Sequence, residues 1–85
     1  MTAEDKVTVR FFAAARAAAG CDQVLLGPGS LEEIIESMNA AFPALTAVTP
    51  ICSYLVNSRS AKRVEGGTIV GPGSTVDVLP PFAGG

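Results

Sequence analysis

The sequence predicts an α+β fold: a small mixed sheet packed on one main helix. Three observations carry this expectation. "KVTVRFF" alternates like a strand with one buried face, "SLEEIIESMNAAFP" repeats with the period of a helix, and the segments run strand, short helix, strand, long helix, then further strands. A single amphipathic helix has one apolar stripe to bury, and covering one face of a sheet is the two-layer way to bury it. A ferredoxin-like sandwich needs two full-length helices, and the first helical segment is too short to be one of them.

The elements follow in order. In the first strand, Val7, Val9 and Phe11 share one face, and Lys6, Thr8, Arg10 and Phe12 share the other. "AAARAAAG" is rich in the best helix former and ends on Gly20, where a helix stops. It is too short to stand alone, so it is expected as one or two turns braced on the sheet. "DQVLLGPG" reads as a second strand and a turn. In the long helix, Leu31, Ile34, Ile35, Met38 and Phe42 form one stripe. Ser30 and Glu33 fit the capping box S-x-x-E, and Glu32 and Glu33 suit the positive end of the helix dipole. Pro43 ends the helix. The acidic face of Glu32, Glu33 and Glu36 is expected to be solvated surface, not a catalytic carboxylate pair.

"ICSYLVN" is a third strand whose buried face the sequence leaves open, since both alternating sets are largely apolar. "SRSAKRVEGG" reads as a turn, a short weak strand and another turn. Its basic residues Arg59, Lys62 and Arg63 are expected to be solvated loop charges. "TVDVLP" is the last strand. It has Val76 and Val78 on one face and Thr75, Asp77 and Leu79 on the other, and Pro80-Pro81 stops it by removing ladder donors.

Composition excludes whole classes of function. At 85 residues the chain has room for one domain, 1–85, with a C-terminal tail at 80–85. A domain of this size buries only about 60–65% of its unfolded surface, enough for a thin core and not for a deep catalytic cleft. A net charge of −2 and a pI near 4.8 lack the basic face of a nucleic-acid binder. The longest apolar run, from Phe11 to Ala15, is too short to span a bilayer, and "MTAEDKVTV" has no signal-peptide core, so a cytoplasmic protein with no membrane partner is expected. Histidine is absent, which removes serine–histidine and cysteine–histidine catalysis and any histidine-ligated metal. Cys21 and Cys52 have no metal or redox spacing and read as free thiols packed as small hydrophobes.

The remaining signal is the end of the chain, "LPPFAGG". Two prolines make a semi-rigid exit from the last strand. Gly84 and Gly85 have no Cβ, so they can enter a channel that admits only backbone, and they leave the terminal acyl carbon uncrowded. A carboxylate is a poor acyl donor. Adenylation by ATP turns it into a mixed anhydride that a sulfur or amine nucleophile can attack. The tail therefore reads as a carboxylate presented to other proteins, which makes the chain a cosubstrate and not a self-contained enzyme.

Taken with "VRFFAAARAAAG", "YLVNS" and "STVDVLPPFAGG", this tail resembles the MoaD/ThiS family of ubiquitin-like sulfur carriers. Within it, the chain is most similar to the branch that forms the small subunit of molybdopterin synthase. The resemblance spans Val7 to Gly85. It implies a β-grasp (ubiquitin-like) fold with its first and last strands adjacent. It implies that Gly85 is adenylated by an E1-like enzyme using ATP and then thiocarboxylated with sulfur from a persulfide donor. No cofactor or metal is expected on the chain itself. Pro81, Phe82, Ala83, Gly84 and Gly85 would insert into the large synthase subunit and deliver sulfur to cyclic pyranopterin monophosphate. The outward sheet face around Phe12 and Leu79, with Phe82, would form the partner surface, and Arg10 and Asp77 on that face would set orientation through charge. Carriers for thiamin or cysteine synthesis and ubiquitin-like modifiers share the Gly-Gly end and remain the alternatives. The tail departs from the family in having Phe82-Ala83 where aliphatic residues are frequent.

Overall fold

The computed structural model describes residues 3–61 and 67–81. Strands β1 (Val7–Phe11), β2 (Gln23–Leu26), β3 (Gly29–Ser30), β4 (Ser53–Val56), β5 (Arg59–Ala61), β6 (Ile69–Val70) and β7 (Thr75–Leu79) accompany helices α1 (Ala13–Ala19) and α2 (Leu31–Ala41). Five strands form one mixed sheet in the order β2-β1-β7-β4-β5, and β3 and β6 form a separate two-stranded ribbon. At the centre β1 and β7, the first and last strands, lie side by side as expected, and they run parallel; β2, β4 and β5 pair antiparallel to their neighbours. With α2 packed on one face, this is the β-grasp, ubiquitin-like arrangement.

The alternation read from the sequence decides which face is inside. Val7, Val9 and Phe11 of β1 are buried with Val76 and Val78 of β7. They meet Leu31, Ile34, Ile35 and Met38, the stripe of α2, in one core. Burying such side chains contributes roughly 1.5–3 kcal/mol each. Phe42, the last member of the stripe, lies just past the end of α2 and packs edge-on against Phe11 with ring centroids 5.8 Å apart. The capping box forms in full: Glu33 N donates to Ser30 Oγ at 3.1 Å, and Ser30 N donates to Glu33 Oε1 at 2.9 Å. Hydrogen bonding from Ser30, chiefly from its backbone N–H, holds the Glu33 carboxyl below its ordinary range. Gly20 closes α1 at φ 74, a left-handed value that glycine adopts freely.

Register resolves the face of β4 that the sequence left open. Tyr54 pairs with Val78 and is buried, whereas Leu55 pairs with Asp77 and lies half-buried on the outward face. The Tyr54 hydroxyl donates to the Thr49 carbonyl at 2.8 Å, and Thr49 Oγ1 donates to Asn39 Oδ1 of α2 at 3.1 Å. The strand is shorter than "ICSYLVN": Ile51 belongs to a 3-10 turn, Thr49–Ile51, and Cys52 caps it. A second 3-10 turn, Pro43–Ala47, and the ribbon of β3 and β6 have no counterpart in the sequence reading, where Gly29 stood in a turn and Ser30 as the cap of the long helix. Asn57 and Ser58 link β4 to β5 with φ of 50 and 69, the values a two-residue type I′ hairpin requires.

Among the described residues, no helix is long and apolar enough to cross a membrane. The expected loop charges Lys62 and Arg63 lie outside the described residues; Arg59 is exposed in β5.

Candidate functional site: the outward sheet face beside the tail

The face of the sheet turned away from α2 carries few charges at its described strand positions. Its described strand positions are Thr8, Arg10, Gln23, Leu25, Ser53, Leu55, Ser60, Thr75, Asp77 and Leu79. Two of these, Arg10 and Asp77, are charged, and they face each other across the parallel pair. Arg10 Nε donates to Asp77 Oδ1 at 2.6 Å and Nη2 donates to Oδ2 at 2.9 Å, a bidentate fork on one carboxylate. The bonds and the charge of Asp77 raise the pKa of Arg10 further. Asp77 is 6% exposed although it points outward, because β7 is the central strand and Arg10 and Leu55 stand beside it on the two neighbouring strands. Both charges were expected to set the orientation of a partner. The Asp77 carboxylate is spent on Arg10 and hidden, and the guanidinium is the charge that reaches solvent.

The Arg10 guanidinium carbon also sits 5.7 Å from the centroid of the Phe12 ring. Phe12 caps the N-terminus of α1 and is 39% exposed, on the outward side as the alternation required. Since Phe11 pairs with Val78, Phe12 stands level with Leu79, the half-buried last residue of β7. Both parallel strands end here, so Phe12 and Leu79 flank the place where the chain leaves the sheet. Pro80 is buried and Pro81 exposed, so the tail emerges at Pro81, one residue later than the Pro80 boundary. Of the expected site residues, Pro81, Phe12 and Leu79 lie at this end of the sheet. Phe82, Ala83, Gly84 and Gly85 lie outside the described residues.

Elsewhere, an open depression of about 460 Å³ lies beside α1, lined by Ala13, Arg16, Ala17, Gly20, Cys21 and Asp22. Its charges pair with each other, Arg16 Nε to Asp22 Oδ1 at 2.9 Å, both well exposed and therefore weakly coupled. Cys21 and Cys52 are free thiols packed at the rim of the core, and Cys52 Sγ donates to the Val48 carbonyl at 3.3 Å. Among the described residues no group of His, Cys, Asp or Glu is placed to hold a metal ion. The ion pair and its stacking on Phe12 were missed from sequence. Parity along β1 and β7, plus their adjacency, was the signal that could have found them.

The ThiS family matches residues 9–85, from the middle of β1 through the tail. The chain belongs to the ThiS family. Solved structures with the same fold include small archaeal modifier protein 1 from Methanosarcina acetivorans, at 25% identity and a TM-score of 0.78, over 94% of this chain and 96% of that one. The counterpart from Haloferax volcanii aligns with a TM-score of 0.81 at 22% identity, over 94% and 99%. A chain from the complex of subunits 1 and 2 of molybdopterin-converting factor of Helicobacter pylori aligns with a TM-score of 0.69 at 21% identity, over 94% and 99%. Among curated proteins none matches the chain. As a ThiS-family member the protein is a ubiquitin-like sulfur carrier by family.

Proposed function

We propose that this protein carries sulfur on the carboxyl group of Gly85 as the small subunit of molybdopterin synthase. The observation that carries the sulfur-carrier reading is the family match, which extends to the Gly84-Gly85 end. An E1-like enzyme joins the carboxylate to the AMP moiety of ATP and releases pyrophosphate. Sulfur from a persulfide donor displaces AMP, and a thiol reductant frees the thiocarboxylate from the acyl persulfide. The tail then enters the large subunit, where the thiocarboxylate sulfur bonds to the pyranopterin, the acyl–sulfur bond is cleaved by water, and the Gly85 carboxylate is restored. This chain supplies an uncrowded acyl carbon and a rigid docking face, and the partners supply the catalytic groups. The Helicobacter pylori complex, in which subunit 1 is bound to subunit 2, supports the synthase partnership.

A second reading is favoured by the archaeal modifier protein at 25% identity, which suggests attachment of Gly85 to lysines of other proteins. Carriers for thiamin or cysteine synthesis would use the same chemistry with different acceptors. Deleting Gly85 and following thiocarboxylate formation beside thermal melting tests the common core of these readings. The truncated protein should melt like the full chain and carry no sulfur; full sulfur transfer without Gly85 would end the carrier reading. Isopeptide linkage of Gly85 to cellular proteins, with no activity in molybdopterin synthesis, would select the modifier.

A further inference from the structure

Docking an apolar surface onto Phe12 and Leu79 must also cover the guanidinium of Arg10, which lies against Phe12 and is half exposed. Asp77 occupies Nε–H and one Nη2–H and leaves the other N–H groups, including both on Nη1, with no partner among the described residues. Stripping water from these donors without replacing its hydrogen bonds is costly, and more so because the group is charged. A bound partner therefore has to offer an acceptor there. Asp77 cannot serve a second time as a counter-charge for the partner, because its carboxylate is hidden beneath the pair.

We infer that Arg10 is a specificity determinant: the enzyme that receives the tail presents a carboxylate, set in an otherwise apolar surface, to the free N–H groups of Arg10 beside Phe12. The inference takes the sulfur-carrier reading above as given. Charge complementarity supports it, since apart from its partner Asp77 no other charge lies on the described outward strand positions, and Lys6 precedes β1 at the end away from Phe12. Asp77 acts as a positioning residue that fixes the fork, and the Phe12 ring fixes it from the side, so little side-chain freedom is lost on binding. A surface that offers apolar contact but no acid leaves the guanidinium buried and unpaired. Partners are thus discriminated by the cost imposed on the wrong one.

The test uses the full chain and, from the same organism, the purified E1-like adenylating enzyme and synthase large subunit. Affinities are read by titration calorimetry at low and high salt for the wild type and two double variants. R10Q/D77N keeps size and hydrogen bonding but removes both charges. R10L/D77V replaces the ion pair by apolar side chains, a change that generally preserves folding. At low salt, both doubles should bind at least one enzyme about tenfold or more weakly, since a hydrogen bond to a charged group is lost. Wild-type affinity for that enzyme should fall with salt, and the dependence should flatten in the doubles. Unchanged or tighter binding of both doubles to both enzymes would overturn the inference and leave the carrier reading standing. If the wild type itself bound neither enzyme, the carrier reading and this inference would fall together.

Discussion

Arg10 grips both carboxylate oxygens of Asp77 across the parallel pair of β1 and β7, at 2.6 and 2.9 Å, on the sheet face opposite the core. The two residues differ in exposure: the Arg10 side chain is 47% accessible and that of Asp77 9%. Removing Arg10 alone leaves a nearly buried carboxylate without its counter-ion, whereas removing both leaves nothing uncompensated. R10L should therefore lower the melting temperature, and adding D77V should restore most of the loss. Thermal melts of the two variants and the parent check this; equal melting of R10L and the parent would mean that the pair holds nothing in place.

Phe12 is exposed and stands apart from the core cluster, so its truncation should leave folding nearly intact while removing an aromatic anchor from the face proposed for docking. Phe12→Ala is expected to weaken binding to the adenylating enzyme or the large subunit roughly 30-fold, as for an interface residue contributing about 2 kcal/mol. Unchanged affinity for both would move the interface away from this end of the sheet.

Ile35, by contrast, is buried on the stripe of α2. Ile35→Ala should cost about 3 kcal/mol in denaturant unfolding, the sum of lost transfer energy and an incompletely closed cavity. A loss below about 1 kcal/mol would mean that α2 is not packed as described.

How much of this was legible in the sequence depended on whether one face or one terminus spoke unambiguously. The inward set of β1, the stripe of α2 and the capping box at Ser30 and Glu33 are local patterns, and the fold uses them as written. β4 was ambiguous because Tyr54 and Leu55 are both apolar enough to bury, and the choice falls to long-range register with Val78 and Asp77. β3 and β6 are two residues each, too short to show any period, and each exists through pairing with the other. The outward position of Asp77 followed from parity, but its burial did not. That burial depends on β7 lying between β1 and β4, which no local pattern encodes. Phe12 and Leu79 were expected to share one end of the sheet once the first and last strands were taken as neighbours, and they do.

The capping box makes stability depend on pH in a definite direction. Glu33 has its pKa lowered in the folded state from an ordinary value of 4.5. A depressed carboxyl pKa means that the unfolded chain binds the proton more readily, so the contribution is complete above the ordinary value and is lost as pH falls through the folded one. Glu33→Gln should flatten the stability profile below about pH 5 and change it little in form at neutral pH. Ser30→Ala should cost about 1 kcal/mol at neutral pH through the lost cap. Denaturant midpoints measured from acid to neutral pH check both, and an unaltered acid limb in the Glu33 variant would contradict the assignment.

The central claim is that the sulfur rides on the carboxyl of Gly85 and on no thiol of the chain. Cys21 and Cys52 pack at the edge of the core, so a double Cys→Ser variant should fold, with some loss of stability, and still become thiocarboxylated. The most direct measurement is the intact mass of the wild-type and double Cys→Ser proteins isolated from their own cells, followed by peptide mapping. The account predicts in both a mass increase equal to the exchange of one oxygen for one sulfur, confined to the peptide ending at Gly85. Extra sulfur found on Cys21 or Cys52 and absent from that peptide, or a double variant that folds but acquires none, would contradict it.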